Sequence, residues 1–228
     1  MKERGKNPRK SVNQSNPIPS ETRAVLPPPW FRQPSPVIAP TLLGCNLVRQ
    51  LANGDRLRGR IVETEAYAPG DPACHAYRKR TERNGAMFAP GGHSYVYLIY
   101  GMYHCFNVVT DAEGVGSAVL VRALELDPHP TLEELLTTDP RRSARSQWNR
   151  LAAGPGKLCR ALAIDRTLND RPLVPESGLW IEPRIPEVDR AIVSGEVPIV
   201  QTTRIGLSQG QEYPWRWYLQ QSPAVSKP

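Results

Sequence analysis

Residues 94–110 form an apolar and aromatic stretch, Ser94-Tyr95-Val96-Tyr97-Leu98-Ile99-Tyr100-Gly101-Met102-Tyr103 followed by His104 to Thr110. It alternates as a strand does, yet it is too long for one ordinary strand. Gly101, flanked by tyrosines, is the residue that tolerates the backbone of a tight turn. The run therefore predicts a β-hairpin with Tyr100 protruding at its tip. Four of the chain's eight tyrosines fall between Tyr95 and Tyr103, so the hairpin gathers flat rings that could stack on another ring. Aromatic residues also favour strands through packing, and Tyr95 and Tyr103 are readable as core. Tyr97 and Tyr100 favour a functional reading, because a side chain at a hairpin tip has no core to join.

Around this hairpin the chain reads as a single α+β domain with a curved, largely antiparallel sheet, the protruding hairpin and surrounding helices. Asn46 to Leu51 and Arg56 to Tyr67 read as strands joined through Asn53-Gly54, a strong hairpin signal. In the second strand Glu63, Glu65 and Tyr67 share one parity and face the same way. Residues 68–93 hold glycine, proline and basic residues, a long loop of the kind that carries function. Residues 117–126 form another apolar strand, unusual for Arg122 in its middle. Thr131 to Glu134 open a helix with a capping-box pattern. Gly154 to Leu162 read as a helix, without the spacing of a nucleotide P-loop. Further strands are expected at 179–182, 198–205 and 215–220. Residues 1–30, with Lys2, Arg4, Lys6, Arg9 and Lys10 among polar residues and prolines, read as a disordered basic tail, leaving 31–228 as the folded domain.

Lysine and arginine outnumber aspartate and glutamate 29 to 22 in a chain of 228 residues, a formal charge of +7. A field of that sign attracts polyanions, and Arg78-Lys79-Arg80 with Arg83, and Arg141, Arg142, Arg145 and Arg150, concentrate it. The four cysteines are spread without a C-x-x-C pair, which argues against a disulfide framework and for a reducing compartment. No stretch has the roughly 20 apolar residues of a membrane span, so a soluble intracellular protein is expected.

The chemistry-bearing residues admit alternatives. Glu63 and Glu65 read either as a solvated strand face or as desolvated carboxylates of raised basicity. Arg122 requires a partner if buried, either a carboxylate such as Glu65 or a substrate phosphate. Asn107 could satisfy backbone or read a base edge. His75, His93 and His104 with Cys74 and Cys105 invite a zinc site, but no H-x-E, H-E-x-x-H or C-x-x-C spacing supports one, and no metal or cofactor is expected. The residues leave three classes: an enzyme acting on a nucleic-acid base, a non-catalytic nucleic-acid-binding domain, and a metal-dependent hydrolase.

The run Gly59 to Tyr67, then Arg83-Asn84 and Met87-Phe88, then Tyr95 to Tyr103 with Asn107, resembles the animal-type alkyladenine (3-methyladenine) DNA glycosylases, which also occur in bacteria. The segments Ala118 to Glu125, Gly154 to Ile164 and Arg204-Ile205-Gly206 extend the resemblance over roughly residues 38–226. It implies an enzyme that flips a damaged purine (3-methyladenine, 7-methylguanine, hypoxanthine or ethenoadenine) out of duplex DNA and hydrolyses its N-glycosidic bond, starting base-excision repair. It further implies Glu65 as the base that activates water, Arg122 as its helper, and Tyr67, His75, Tyr97 and Asn107 as the base pocket. Tyr100 would fill the gap in the duplex, with Arg80, Thr81, Arg83, Met102 and Lys157 also contacting DNA. Without a lysine placed for strand cleavage, a monofunctional, monomeric enzyme is expected. It would work in the bacterial cytoplasm at the nucleoid, or in the nucleus of a eukaryote.

Overall fold

The longest strand organises the molecule. In a computed structural model describing residues 24–136, 141 and 143–227, α1 (Ser35–Leu42) and β1 (Asn46–Gln50) lead into β2 (Arg56–Tyr67). The hairpin follows as β3 (Ser94–Ile99) and β4 (Tyr103–Val109), then β5 (Ala118–Leu126). Three short helices come next, α2 (Pro130–Glu133), α3 (Ala144–Arg150) and α4 (Pro155–Ala161). The chain closes with β6 (Leu179–Glu182), α5 (Pro186–Val193), β7 (Ile199–Thr202) and β8 (Arg216–Leu219). The strands make one antiparallel sheet in the order β3-β4-β5-β2-β1-β6, with β8 paired to both β2 and β7. This is the α+β architecture expected from the sequence.

One edge of β2 serves two partners. β1 covers Arg56 to Arg60, and β8 covers Glu63 to Glu65, while β5 runs along the opposite edge from Gly59 to Tyr67. The β2–β5 register shifts between Ile61 and Glu63, and back between Glu63 and Thr64. The ladder skips Val62 on one strand and Arg122 on the other. Such irregularities re-aim side chains without losing the sheet. Here they lie where both Glu63 and Arg122 turn toward a common interior.

At the predicted hairpin tip, Tyr100 and Gly101 take φ of 53° and 69°, and the Met102 N–H donates to the Ile99 carbonyl at 3.3 Å. Two successive positive φ angles match the right-handed twist of the flanking strands. The main core joins sheet and helices through Ile61, Phe106, Val121, Leu124, Leu158 and Trp217, all buried. A smaller cluster of Cys74, Met87, Tyr95, Val109 and Ala118 fastens the 68–93 loop to the hairpin. All four cysteines are buried and unpaired, and among the described residues no helix is long and apolar enough to cross a membrane.

Two boundaries differ from the sequence reading. Residues 24–30, included in the tail, have defined packing: Leu26 is buried with its N–H donating to the Ile181 carbonyl, and Pro28–Phe31 form a 3₁₀ turn that buries Phe31. Isolated apolar residues among prolines dock on a sheet without any periodicity to announce them. Residues 1–23, and Arg142, lie outside the described residues. The helix at 130–133 is capped by His129, whose side chain accepts from the Thr131 N–H, while the Thr131 hydroxyl donates to Asp55. A tertiary partner for that hydroxyl defeats the local capping box.

Gly116 fixes how closely the loop approaches the sheet: a Cβ there would sit 2.3 Å from the Ala76 Cβ and 3.1 Å from the Phe88 ring. Gly116→Ala is expected to lower unfolding free energy by about 1–3 kcal/mol through overpacking, read as a lower midpoint in urea with an unchanged slope.

Candidate active site

The sheet carries a cleft of about 510 Å³ between the hairpin, the 68–93 loop, the start of α4 and the segment after β7. Tyr67, His75, Tyr97, Tyr100, Asn107, Arg122 and Lys157, singled out from the sequence, all line it. Thr81 and Arg83 line an adjoining cavity of about 420 Å³ that shares His75 and Tyr95. Arg80 lies outside both cavities, its guanidinium 5.8 Å from the Phe88 ring centre. Met102 is 67% exposed and Tyr100 84% exposed, so the hairpin tip projects into solvent.

Glu65 lies immediately beneath the lining and is fully buried. Its Oε1 accepts from the Ile205 N–H at 2.8 Å and pairs with Arg122 Nη1 at 3.2 Å, and its Oε2 accepts from the Tyr67 hydroxyl at 2.8 Å. All three partners line the cavity. A carboxylate offers about four acceptor positions, so one is left over. Burial, then the adjacent Glu65 charge, push the Tyr67 phenol far above its ordinary range, which keeps it a donor.

Of the partners the sequence allowed Arg122, the structure shows the carboxylate. Besides Glu65 it holds Glu63, its Nε donating to Glu63 Oε1 at 3.0 Å. Burial by itself would lower its pKa, but Glu65 and Glu63 outweigh that and hold it above the ordinary value. The solvated-face reading of Glu63 and Glu65 fails, since both are completely buried.

The ring walls are held in a neutral state. His75 Nδ1 shares a hydrogen bond of 2.9 Å with the Tyr95 hydroxyl, and its ring meets Tyr97 edge-on at 4.6 Å. Burial, then the Arg83 charge, lower its pKa, while burial pushes Tyr95 up to about 12. Tyr95 is fully buried, the core role the sequence allowed it. Burial likewise raises Tyr97. Asn107 Nδ2 donates to the Tyr95 carbonyl at 3.0 Å, which turns its amide and sets which face meets the cavity. Asn84 ties the basic loop together, its Nδ2 donating to the His75 and Lys79 carbonyls and its Oδ1 accepting from the Thr81 N–H.

Sequence reading missed the bracing behind Tyr67. Arg204 and Asp71 form a wholly buried ion pair, and Arg204 also donates to the Ala66 and Gly210 carbonyls. The guanidinium lies over the Tyr67 ring, 4.7 Å from its centre. Arg204 and Ile205 appeared in the sequence only as part of a similar segment, and nothing local marks Asp71 as their partner. Among the described residues no three histidine, cysteine, aspartate or glutamate side chains converge as metal ligands would.

A methylpurine-DNA glycosylase family model matches residues 29–223. The chain belongs to that family. A protein of Trichodesmium erythraeum named as an inferred 3-methyladenine DNA glycosylase is 54% identical over 198 residues, covering 87% of this chain and 95% of its own. A similarly named Synechococcus protein is 52% identical over 201 residues, covering 86% and 96%. The mouse DNA-3-methyladenine glycosylase is 43% identical over 226 residues, covering 96% of this chain and 65% of its own. The family membership makes this chain a DNA repair glycosylase, a hydrolase of N-glycosyl bonds whose partner is DNA.

Two measurements check this geometry. Arg204→Met strands the buried Asp71 charge and is expected to cost about 3–5 kcal/mol of stability, read by denaturant unfolding. His75 has a folded pKa below its unfolded value of about 6.5, so the unfolded chain binds the proton first as pH falls. Its neutral form thus contributes stability that is lost as pH drops below about 6.5 and levels off under the folded pKa. His75→Gln is expected to flatten that part of the stability-against-pH curve.

Proposed function

We propose that the enzyme extrudes a damaged purine from duplex DNA into the aromatic cleft and cleaves its glycosidic bond with a water deprotonated by Glu65. The observation that carries this reading is one buried carboxylate, gripped by Arg122, the Tyr67 hydroxyl and the Ile205 N–H, under the floor of a cleft walled by neutral rings. A base inside a duplex is out of reach, so catalysis on it requires flipping, at a cost of a few kcal/mol that is lower for a damaged base. Tyr100, presented at the turn and open to solvent, is suited to fill the vacated stack as apolar wedges do elsewhere. Lys157 on the cleft lining, Thr81 and Arg83 on the adjoining cavity, the exposed Met102 and Arg80 meet the DNA around the flipped base.

Loss of the base builds oxocarbenium character on the sugar. The Glu65 carboxylate beneath it stabilises that charge and takes the proton of the attacking water, and Arg122 pairs with that carboxylate and holds it in place. Alkylated purines, being cationic, are attracted to the faces of Tyr67, His75 and Tyr97 and leave without further protonation. Hypoxanthine and ethenoadenine are neutral and gain less from those faces. Asn107 crowds the 2-amino group of normal guanine. The reaction is monofunctional hydrolysis by a monomer. The enzyme works wherever its DNA lies, at the bacterial nucleoid or in a eukaryotic nucleus. The basic residues ahead of Leu26, Lys2, Arg4, Lys6, Arg9 and Lys10, add to the positive field that draws DNA to the catalytic domain.

Single-turnover release of base from duplexes carrying 7-methylguanine, hypoxanthine or ethenoadenine tests the reading. Glu65→Gln is expected to slow release by at least about a hundredfold, the usual minimum for losing a general base, with lesion binding kept. Wild-type rates in that variant would remove Glu65 from the chemistry.

A further inference from the structure

Arg122 is one guanidinium between two carboxylates. It presents Nη1 to Glu65 and Nε to Glu63. The Glu63 oxygen that receives Arg122 also receives Arg216 Nε at 2.8 Å, and the other Glu63 oxygen accepts from the Ser226 N–H at 2.7 Å. Arg216 further donates to the Lys227 carbonyl, so the C-terminal residues close over the back of this group. Glu63 and Arg216 are buried, and neither lines the cleft.

We propose that Glu63 and Arg216 are positioning residues that set how strongly Arg122 holds Glu65 ionised, and thereby the pH below which base release fails. This rests on the reading of Glu65 as the base. Glu63 competes for Arg122 and repels the Glu65 charge. Arg216 opposes both effects: it supplies Glu63 with a second cation, leaving Arg122 free for Glu65. Inside the protein these interactions escape most solvent screening.

The other groups facing Glu65 hold a fixed charge in the acid range. Tyr67 on its own strand, Tyr97 on β3 and Cys105 on β4 are all raised by burial and stay protonated. Arg204, ahead of the Ile205 N–H, is committed to Asp71. Differences between variants on the acid side are therefore set by the charges of Glu63, Arg122 and Arg216 around Glu65, since His75, whose pKa burial and then Arg83 lower, is common to all of them.

Opposite shifts follow from the two substitutions. Glu63→Gln removes the competitor, so the acid limb of single-turnover release moves to lower pH. Arg216→Gln turns Glu63 back onto Arg122, so the limb moves to higher pH. Each displacement is expected to be on the order of one pH unit, the lower end for a neighbouring charge. Arg216→Lys restores the charge and returns the limb toward wild type. The substrate is duplex DNA with 7-methylguanine, whose cationic base needs no protonation, and His75 is common to every variant, so displacement of the acid limb between variants reports Glu65.

Limbs displaced in opposite directions establish the proposal. Limbs at the same pH, or both moved the same way, overturn it, as does a slower rate with an unmoved limb, the result of a merely structural role. Thermal melts identify any variant that fails to fold. If Arg216→Gln is lost this way, an unmoved limb in Glu63→Gln is enough to overturn the proposal, and a limb moved down is enough to sustain it. Glu65→Gln, run alongside, separates the failures: activity in it removes the base assignment, whereas inactivity with coincident limbs removes only the role of Glu63 and Arg216.

Discussion

The buried guanidinium of Arg122 is the constraint around which the centre of this molecule is arranged. Removing such an ion from water costs several kcal/mol even after relaxation, and the fold offsets that cost with charges from three strands. β2 supplies Glu63 and Glu65, β5 supplies Arg122 and β8 supplies Arg216. Two carboxylates and two guanidiniums leave the group neutral, a condition that a single pair buried against a third charge could not meet. The paired register shifts in β2 and β5 are the geometric counterpart. They release Arg122 and the neighbouring Val62 from the ladder so that charged side chains meet inside while Ile61, Val121 and Leu124 keep to the core.

A second buried pair braces the cleft from outside. Arg204 and Asp71 fasten the loop after Tyr67 to the segment after β7, and the same guanidinium lies against the Tyr67 ring. The Ile205 N–H, one residue further, donates to Glu65. One contact thus fixes a wall of the cleft and a donor to its carboxylate. The 68–93 loop has little regular structure, yet Asn84 and the Gly116 contact hold it in place. Positions on strands give Glu65, Tyr67, Tyr97, Asn107 and Arg122 their precision, and bracing extends that precision to His75 and Ile205, which lie on loops.

What the sequence revealed follows the range of the interactions concerned. The hairpin, the shared face of Glu65 and Tyr67, and the oddity of Arg122 in an apolar strand are expressed within a few residues, where a period of two is visible. The partners are not. Asp71 meets Arg204 across 133 positions, Glu63 meets Arg216 across 153, and Ser226 reaches Glu63 across 163. Nothing in local composition records such pairings, so Glu63 remained ambiguous between a wet strand face and a buried ion. Leu26 and His129 show the same limit at smaller scale, since the first docks on a strand from far away and the second displaces a cap that Thr131 would fill on local rules.

The neutral walls and the neutral ion cluster together bear on which bases suit the proposed reaction. Tyr67, His75, Tyr97 and Tyr95 are all shifted toward their uncharged forms, with burial the leading cause in each. Arg122 and Arg216 are matched by Glu63 and Glu65, so this ion cluster brings no surplus charge with which to repel a cationic purine. Selection among bases then falls on two properties of the base itself: the charge its ring offers to aromatic faces, and its ability to leave. Alkylation improves both at once. A base that is neutral and paired gains from neither and also resists leaving the stack. A cleft with uncharged aromatic walls over a balanced ion cluster can therefore favour damage without reading each lesion by its own hydrogen bonds.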